Sequence, residues 1–406
     1  MGQLEELKGF NTSRVFELLS TNGSMTRPEL AKKTGLSRAT IGIIVDLLLK
    51  RNLVYESGTG SSSGGRPPML IKFNPEAAYA VGAGMYEQKW TVLFINLHGH
   101  IRDSESIEMR GLRPEDGVEA ISEGLRKLQE RNKAIDFLPR IGIGSPGLVD
   151  WHTGVVKSAV DVGWFEVPFG EMIEKAVGLP SLIINRGKLG ALAEYWSRGK
   201  TPQELLYISV GTGIAAGIIH KGELYIGPTS SAGELGHTTI LPEGPLCACG
   251  NRGCLQQLIS EDAIASKGRE KLRSLKNGPL HQIAGPHPEK LTALHVLQAA
   301  QEGDPSSIEI LSDAARYLGI AVANLINMIN PERVVLGGPI ACSSILFCDL
   351  VREEVEKRAM TYPLSIVSVE QSRIGLDAAA IGAAVLVLQQ AGNLLFDTDQ
   401  SQQLFM

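Results

Sequence analysis

The sequence predicts an α/β protein: an N-terminal winged helix-turn-helix followed by a body of two α/β lobes around a cleft. Three observations predict it. Residues 26–50 hold two capped helix patterns joined by a glycine turn. From residue 78 onward, apolar strand patterns alternate with helical ones and switch between hairpins and crossovers. Residues 233–255 pack one histidine and three cysteines into a stretch that glycines allow to double back.

The N-terminal elements follow from local rules. Residues 11–19 carry Val15, Leu18 and Leu19 on one helical face, and T-N-G-S turns the chain. Thr26, with Glu29 three residues on, is a capping box for the short helix R-P-E-L-A-K-K-T, which Gly35 ends. Ser37 caps a second helix in which Ile41, Ile44, Val45 and Leu48 form the stripe to be buried. Arg38, Thr40 and Gly42 are left near its exposed start. Read as a helix-turn-helix, this module offers Arg27, Ser37, Arg38 and Thr40 to operator DNA. L-V-Y-E-S-G and M-L-I-K-F-N are then two strands of a wing around the tip T-G-S-S-S-G-G-R-P-P. Arg66 beside Pro67 suits a narrow minor groove, where A·T-rich DNA concentrates negative potential. On composition alone the tip reads equally as a flexible linker, and the helices as a small interaction module.

Charge distribution supports the DNA reading. The 406-residue chain is too long for one ordinary core and has a net charge of -5, which argues against a general polyanion binder. Residues 1–72, however, hold 10 Lys+Arg against 6 Asp+Glu, while the remainder holds 29 against 38. A mildly basic module on an acidic body fits DNA binding joined to another task. The start M-G-Q-L-E-E-L-K has no signal-peptide pattern, and no apolar run approaches the ~18 residues that span a bilayer, so a cytoplasmic protein is expected.

In the body, A-V-G-A-G-M-Y-E-Q-K-W-T-V-L-F-I-N reads as two apolar strands with a turn, and residues 115–132 as a helix. R-I-G-I-G-S-P-G-L-V-D is a buried strand running into a turn at Gly147. L-I-I-N-R-G-K-L-G-A-L-A-E-Y-W gives strand, turn at Asn185 and Arg186, then helix; L-L-Y-I-S-V-G-T-G-I-A-A-G-I-I gives a hairpin with a glycine-rich tip. His237, Cys247, Cys249 and Cys254 supply one imidazole and three thiolates, the donor set of a closed structural Zn2+ site, although C-x-C-x4-C is not a zinc-finger spacing. The cysteines could otherwise be small buried apolar residues or a disulfide, and three within eight residues of a chain holding five weighs against the first. Helices at 293–302, 306–330, 346–358 and 378–390 surround a strand E-R-V-V-L-G-G-P.

The pattern E-x-G-H followed by C-x-C-G-x-x-G-C-L, with P-G-x-V-D and N-P-E-R-V-V-L-G-G, resembles the ROK family, which groups sugar kinases with sugar-responsive repressors. The resemblance implies two lobes of the actin-like ATPase type. It also implies a sugar pocket in which Glu234 holds a hydroxyl, His237 lies near the sugar while ligating zinc, and Gly147, Asn185 and Gln256 contribute, Gln256 standing where the family usually has glutamate. Three departures bear on activity. Gly84 stands where ROK kinases carry an aspartate, Tyr86 and Glu87 replace a glycine pair at the first phosphate turn, and Arg186 replaces the aspartate that takes the sugar proton. A guanidinium cannot act as general base, so the chain is expected not to be an enzyme.

The resulting expectation is a sugar-responsive DNA-binding repressor with an inactive kinase-like effector body, working as a homodimer or dimer of dimers. Its alternatives are an active ROK carbohydrate kinase with an N-terminal extension and a repressor controlled by a protein partner. Three domains are expected: 1–72 for DNA, 73–195 as first lobe with the helix at 377–391 returning to it, and 196–376 as second lobe with zinc loop and dimerisation helices. Arg186 only donates hydrogen bonds, so it should either pair with Glu234 and close the pocket or await an anionic sugar derivative, the second being preferred.

Overall fold

The computed structural model describes residues 2–59, 67–275 and 277–396; Arg66 and the wing tip around it lie outside the described residues. The N-terminal module comprises α1 (Gly2–Asn22), β1 (Ser24–Thr26), α2 (Arg27–Thr34), α3 (Arg38–Lys50), β2 (Val54–Thr59) and β3 (Met69–Phe73). Both helix starts are capped as expected. The Thr26 backbone N–H donates to Glu29 Oε2 at 2.8 Å and the Thr26 hydroxyl accepts from Glu29 N; Ser37 Oγ accepts from Thr40 N at 3.1 Å. Gly35 ends α2 in the left-handed region at φ 74°, where a side chain would be strained. The wing is three-stranded, in the order β1-β3-β2, since residues 24–26 pair with β3. Ile41, Ile44, Val45 and Leu48 are buried together with Val15, Phe16, Leu19, Leu30, Ile71 and Phe73.

The first lobe is built on β4 (Tyr79–Tyr86), β5 (Lys89–Asn96), β6 (Ile101–Glu108), β7 (Phe137–Ser145) and β11 (Ser181–Asn185), with α4 (Pro114–Arg131) and α5 (Phe169–Val177) on its outer face. A side ribbon of β8 (Leu148–Asp150), β9 (Val155–Ala159) and β10 (Trp164–Val167) borders the cleft. α6 (Arg186–Ser197) leads into the second lobe, built on β12 (Leu205–Val210), β13 (Ile214–His220), β14 (Glu223–Leu224), β15 (Arg333–Gly337) and β16 (Ser368–Gln371). Its helices are α7 (Leu255–Ile259), α8 (Glu261–Leu272), α9 (Pro279–Ala284), α10 (Ala293–Gln301), α11 (Pro305–Ile329), α12 (Gly338–Ser343), α13 (Ile345–Glu356) and α14 (Thr361–Leu364).

The two main sheets share one topology. In each, an antiparallel meander (β4-β5-β6 or β12-β13-β14) is extended by two parallel strands (β7 and β11, or β15 and β16) on the side of its first strand. α15 (Ala378–Leu388) and α6 lie between the sheets: α15 packs on β4 and β7, and α6 packs on α15, β12 and β13. The seam is close enough to dictate glycine, at position 84 among others. A Cβ on Gly84 would come within 2.4 Å of the Ala380 backbone nitrogen, so the space an aspartate would need is taken by the start of α15.

The chain then closes with α16 (Ala391–Phe396), which packs against α1. The Phe16 ring lies edge-on to Phe73 at 5.3 Å and to Phe396 at 5.4 Å, and Arg51 Nη1 donates to the Leu395 carbonyl at 2.5 Å. One apolar core therefore runs without a break from the N-terminal module through α16 and α15 into the interlobe seam. No helix among the described residues is long and apolar enough to cross a membrane.

Candidate functional sites: recognition helix, interlobe cleft and metal loop

The outer face of α3 exposes Ser37 and Arg38 and leaves Thr40 half-buried, its hydroxyl 2.8 Å from Ser37 Oγ. Arg27, at the start of α2, is tied to Asp46 of α3 by a 2.7 Å ion pair, which spends its charge within the module. Pro67 is exposed at the described edge of the wing tip.

The cleft takes its shape from the turn between β11 and α6. Asn185 is the N-cap of α6: its Oδ1 accepts from Gly187 N at 2.9 Å and from Lys188 N, and its Nδ2 donates to the Gly147 carbonyl at 2.7 Å. Gly147 and Asn185 are thus joined, with the amide used on both sides to hold the Pro-Gly turn against the helix start. One turn into α6 sits Lys188, whose side chain is 1% exposed. Its ammonium donates to Glu234 Oε1 at 3.0 Å and to the Ser230 carbonyl at 2.7 Å. An isolated ammonium at that depth would be costly, and Glu234 supplies the counter-charge.

Arg186 therefore does not pair with Glu234, contrary to one expectation, because Lys188 already holds that carboxylate. Its guanidinium instead donates to Asp161 Oδ2 at 2.8 Å and to Thr212 Oγ1 at 3.2 Å. Asp161 belongs to the first lobe and Thr212 to the glycine-rich tip between β12 and β13, so Arg186 bridges the lobes across the cleft. A second bridge lies beside it: the Tyr86 hydroxyl donates to Glu87 at 3.0 Å and contacts Glu261 Oε1, at the start of α8, at 3.4 Å. Burial raises the Glu261 carboxyl to about 7, helped by the Glu87 charge, and burial also raises the Tyr86 hydroxyl above its ordinary range. Gln256 turns its Oε1 toward the Ile214 N–H at 3.5 Å, bracing the start of β13.

Glu234 is followed by a single 3-10 turn, Leu235–His237, which carries the chain from the cleft to the metal loop. There the donor atoms of His237, Cys247, Cys249 and Cys254 all lie within 4.8 Å of one another. His237 Nδ1 is 3.7 Å from Cys247 Sγ, and Cys249 Sγ is 3.7 Å from Cys254 Sγ. A tetrahedron with bonds of about 2.3 Å has edges of about 3.8 Å, so the cluster has the dimensions of a closed metal site. The loop's own backbone sets the cluster up. Cys247 N donates to Asn251 O at 2.7 Å, Gly250 N to Cys247 O at 2.9 Å and Gly253 N to Pro245 O at 2.9 Å. Burial pushes the Cys254 thiol up to about 12, whereas the Asn251 backbone N–H lowers that of the exposed Cys249. A cation is what would ionise all three together.

Four participants escape a reading of the sequence: Lys188, Asp161, Ser230 and Glu261. Lys188 alone left a trace there, as a charge in the first turn of a helix whose next five residues are small or apolar.

Comparison with known proteins bears on the fold and the family. The chain is 31% identical to a xylose repressor of Caldicellulosiruptor bescii over 96% of its own length and 98% of that protein. It is 32% identical to a glucokinase of Halalkalibacterium halodurans over 66% of its own length and 82% of the kinase. Its fold matches the crystal structure of a ROK family transcriptional regulator, a homologue of the Escherichia coli Mlc protein, with a TM-score of 0.82, 26% identity and coverage of 98% and 99% of the two chains. The ROK family model itself matches residues 79–390 and leaves the helix-turn-helix module outside, and on that match the chain belongs to the ROK family.

Proposed function

We propose that this protein is a sugar-responsive DNA-binding transcriptional repressor whose kinase-like body senses an effector and transfers no phosphoryl group. The observation that carries the reading is the union of a capped helix-turn-helix, its outer α3 face free, with a cleft whose phosphate side is filled by Arg186, Asp161 and Thr212. Near-complete two-way coverage of a repressor supports it, against partial coverage of a glucokinase. Residues 1–72 serve DNA, and the lobes at 73–195 and 196–376, with the helix at 377–391, serve the effector. In a dimeric helix-turn-helix protein the half-sites lie about one turn (~34 Å) or a multiple apart, so the operator should be an inverted repeat. Arg38→Ala should weaken specific binding by ~1–3 kcal/mol if Arg38 reads a guanine edge. Operator titrations by fluorescence anisotropy check this, and undiminished affinity after removal of residues 1–72 would refute the assignment.

The cleft reading follows from its charges. Lys188 is matched by Glu234 and Arg186 by Asp161, so neither cation waits for an anion, and the pairing favours a neutral polyhydroxy sugar over the phosphorylated or acidic derivative. Glu234 remains the acceptor for its hydroxyls, with Gly147, Asn185, Gln256 and His237 shaping the surrounding wall. Xylose is the first sugar to try, given the names of the relatives. Calorimetry should show a neutral sugar binding while its phosphate does not, and a coupled assay should show no ATP-dependent turnover of either. Preference for the phosphate, or turnover abolished by a cleft variant, would each overturn this part.

The loop at residues 237–254 is proposed to hold one Zn2+, and two copies of the chain to associate through the second lobe. There Met328, Met360 and Tyr362 are 81%, 63% and 86% exposed, and the Met360 N–H donates to Asn327, which brings their chain segments side by side.

A further inference from the structure

The outward face of α3 carries more than Arg38. Ile43 is 62% exposed, Ala39 one turn earlier is exposed, and Gly42 lies between them on the same side. Among the described residues nothing asks for glycine at position 42: a Cβ there would meet no atom within 4 Å, and the position lies inside a regular helix. Glycine at a partly exposed helical position is normally a liability relative to alanine, and among the described residues no neighbour explains it. That open space is available to a partner from outside the chain. The one carboxylate of α3, Asp46, is neutralised by Arg27 at 2.7 Å, and the surrounding module is positively charged, with 10 Lys+Arg against 6 Asp+Glu in residues 1–72. The face is therefore acceptable to a polyanion, with an uncharged, apolar centre.

A helix of this kind lies in the major groove with its N-terminal residues on base edges. An isoleucine cannot hydrogen-bond there; the apolar group that the groove displays is the C5 methyl of thymine. We propose that Ile43 is a specificity-determining residue that reads a thymine methyl in each half-site, and that Gly42 admits the approach which brings it there. The proposal rests on the DNA-binding reading and adds to it the base that the apolar centre selects.

The test uses the full-length chain and a duplex selected by it from a randomised pool. Each thymine of the duplex is replaced in turn by deoxyuridine, which keeps the pairing and removes only the methyl. With the native protein, one or two positions per half-site should lose about fourfold in affinity, the worth of one buried methyl. With Ile43→Ala those positions should lose nothing further, while the response to every other position stays as in the native protein. Gly42→Ala should raise thermal stability and yet weaken operator binding, a pair of opposite signs that a purely structural role would not produce. A flat uracil scan, or the same losses in Ile43→Ala as in the native protein, would overturn the proposal, as would native affinity in Ile43→Ala, which would assign the face to another partner. Failure to select any duplex would sink the DNA-binding reading itself.

Discussion

Removing the Zn2+ proposed for residues 237–254 is expected to be the most damaging change that leaves every other side chain intact. The three thiolates and the imidazole are gathered within 4.8 Å, and without a cation the loop must either hold protonated thiols at these distances or open. Structural zinc returns on the order of 10 kcal/mol in small zinc domains, where folding depends on it. In this larger body the loop's backbone hydrogen bonds keep part of the shape, so a loss of roughly 3–5 kcal/mol is expected, the upper range for loss of a metal. Because His237 is joined to Glu234 by a single 3-10 turn, opening of the loop should also abolish effector binding. Metal analysis should find about one equivalent of zinc per chain. Cys254→Ser and chelator-treated protein should both unfold at lower denaturant and fail to bind sugar. A metal-free chain with native stability and a native sugar titration would dispose of this account.

The second large effect should come from Glu234→Gln. Lys188 is 1% exposed and its charge is met by Glu234 at 3.0 Å, while the Ser230 carbonyl can satisfy a proton but not the charge. Removing one partner of a buried pair strands the other, at a cost of roughly 3–5 kcal/mol. Lys188→Met should cost less, because Glu234 is 25% exposed and water can take over its hydration. The double variant Lys188→Met, Glu234→Gln should recover part of the loss seen in Glu234→Gln, since it leaves no stranded charge; that recovery in a denaturation series is the signature of the pair. All three should lose the sugar. If Glu234→Gln unfolds at the native midpoint and binds sugar normally, the pair is not what organises the cleft.

How far the sequence could be read follows the range of the interactions. The capped starts of α2 and α3 and the buried stripe of α3 were legible because a cap needs only three residues and a stripe only one helix. The strand β1 was not, since three residues become a strand only by pairing with β3 more than forty positions away. The His237, Cys247, Cys249 and Cys254 cluster stood out because all four lie in one short loop. The cleft charges did not: Lys188 meets Ser230 and Glu234 across 42 and 46 positions, and Arg186 meets Asp161 across 25. Motifs placed Arg186 and Glu234 on the cleft, but which cation reached which anion depended on a lysine that no motif marked. The anionic effector expected from the sequence loses its support for the same reason: it assumed an unpaired Arg186, and Asp161 pairs it.

The close of α16 on α1 sets an order of manufacture. Phe396 and Leu395 are synthesised after every residue of the effector body, yet they complete the apolar core of the module that begins the chain. A nascent chain therefore lacks the α16 part of this core while its body is still being made, and a chain cut short within the body lacks it throughout. The core of the module proposed to bind DNA is thus completed last, although its own helices leave the ribosome first.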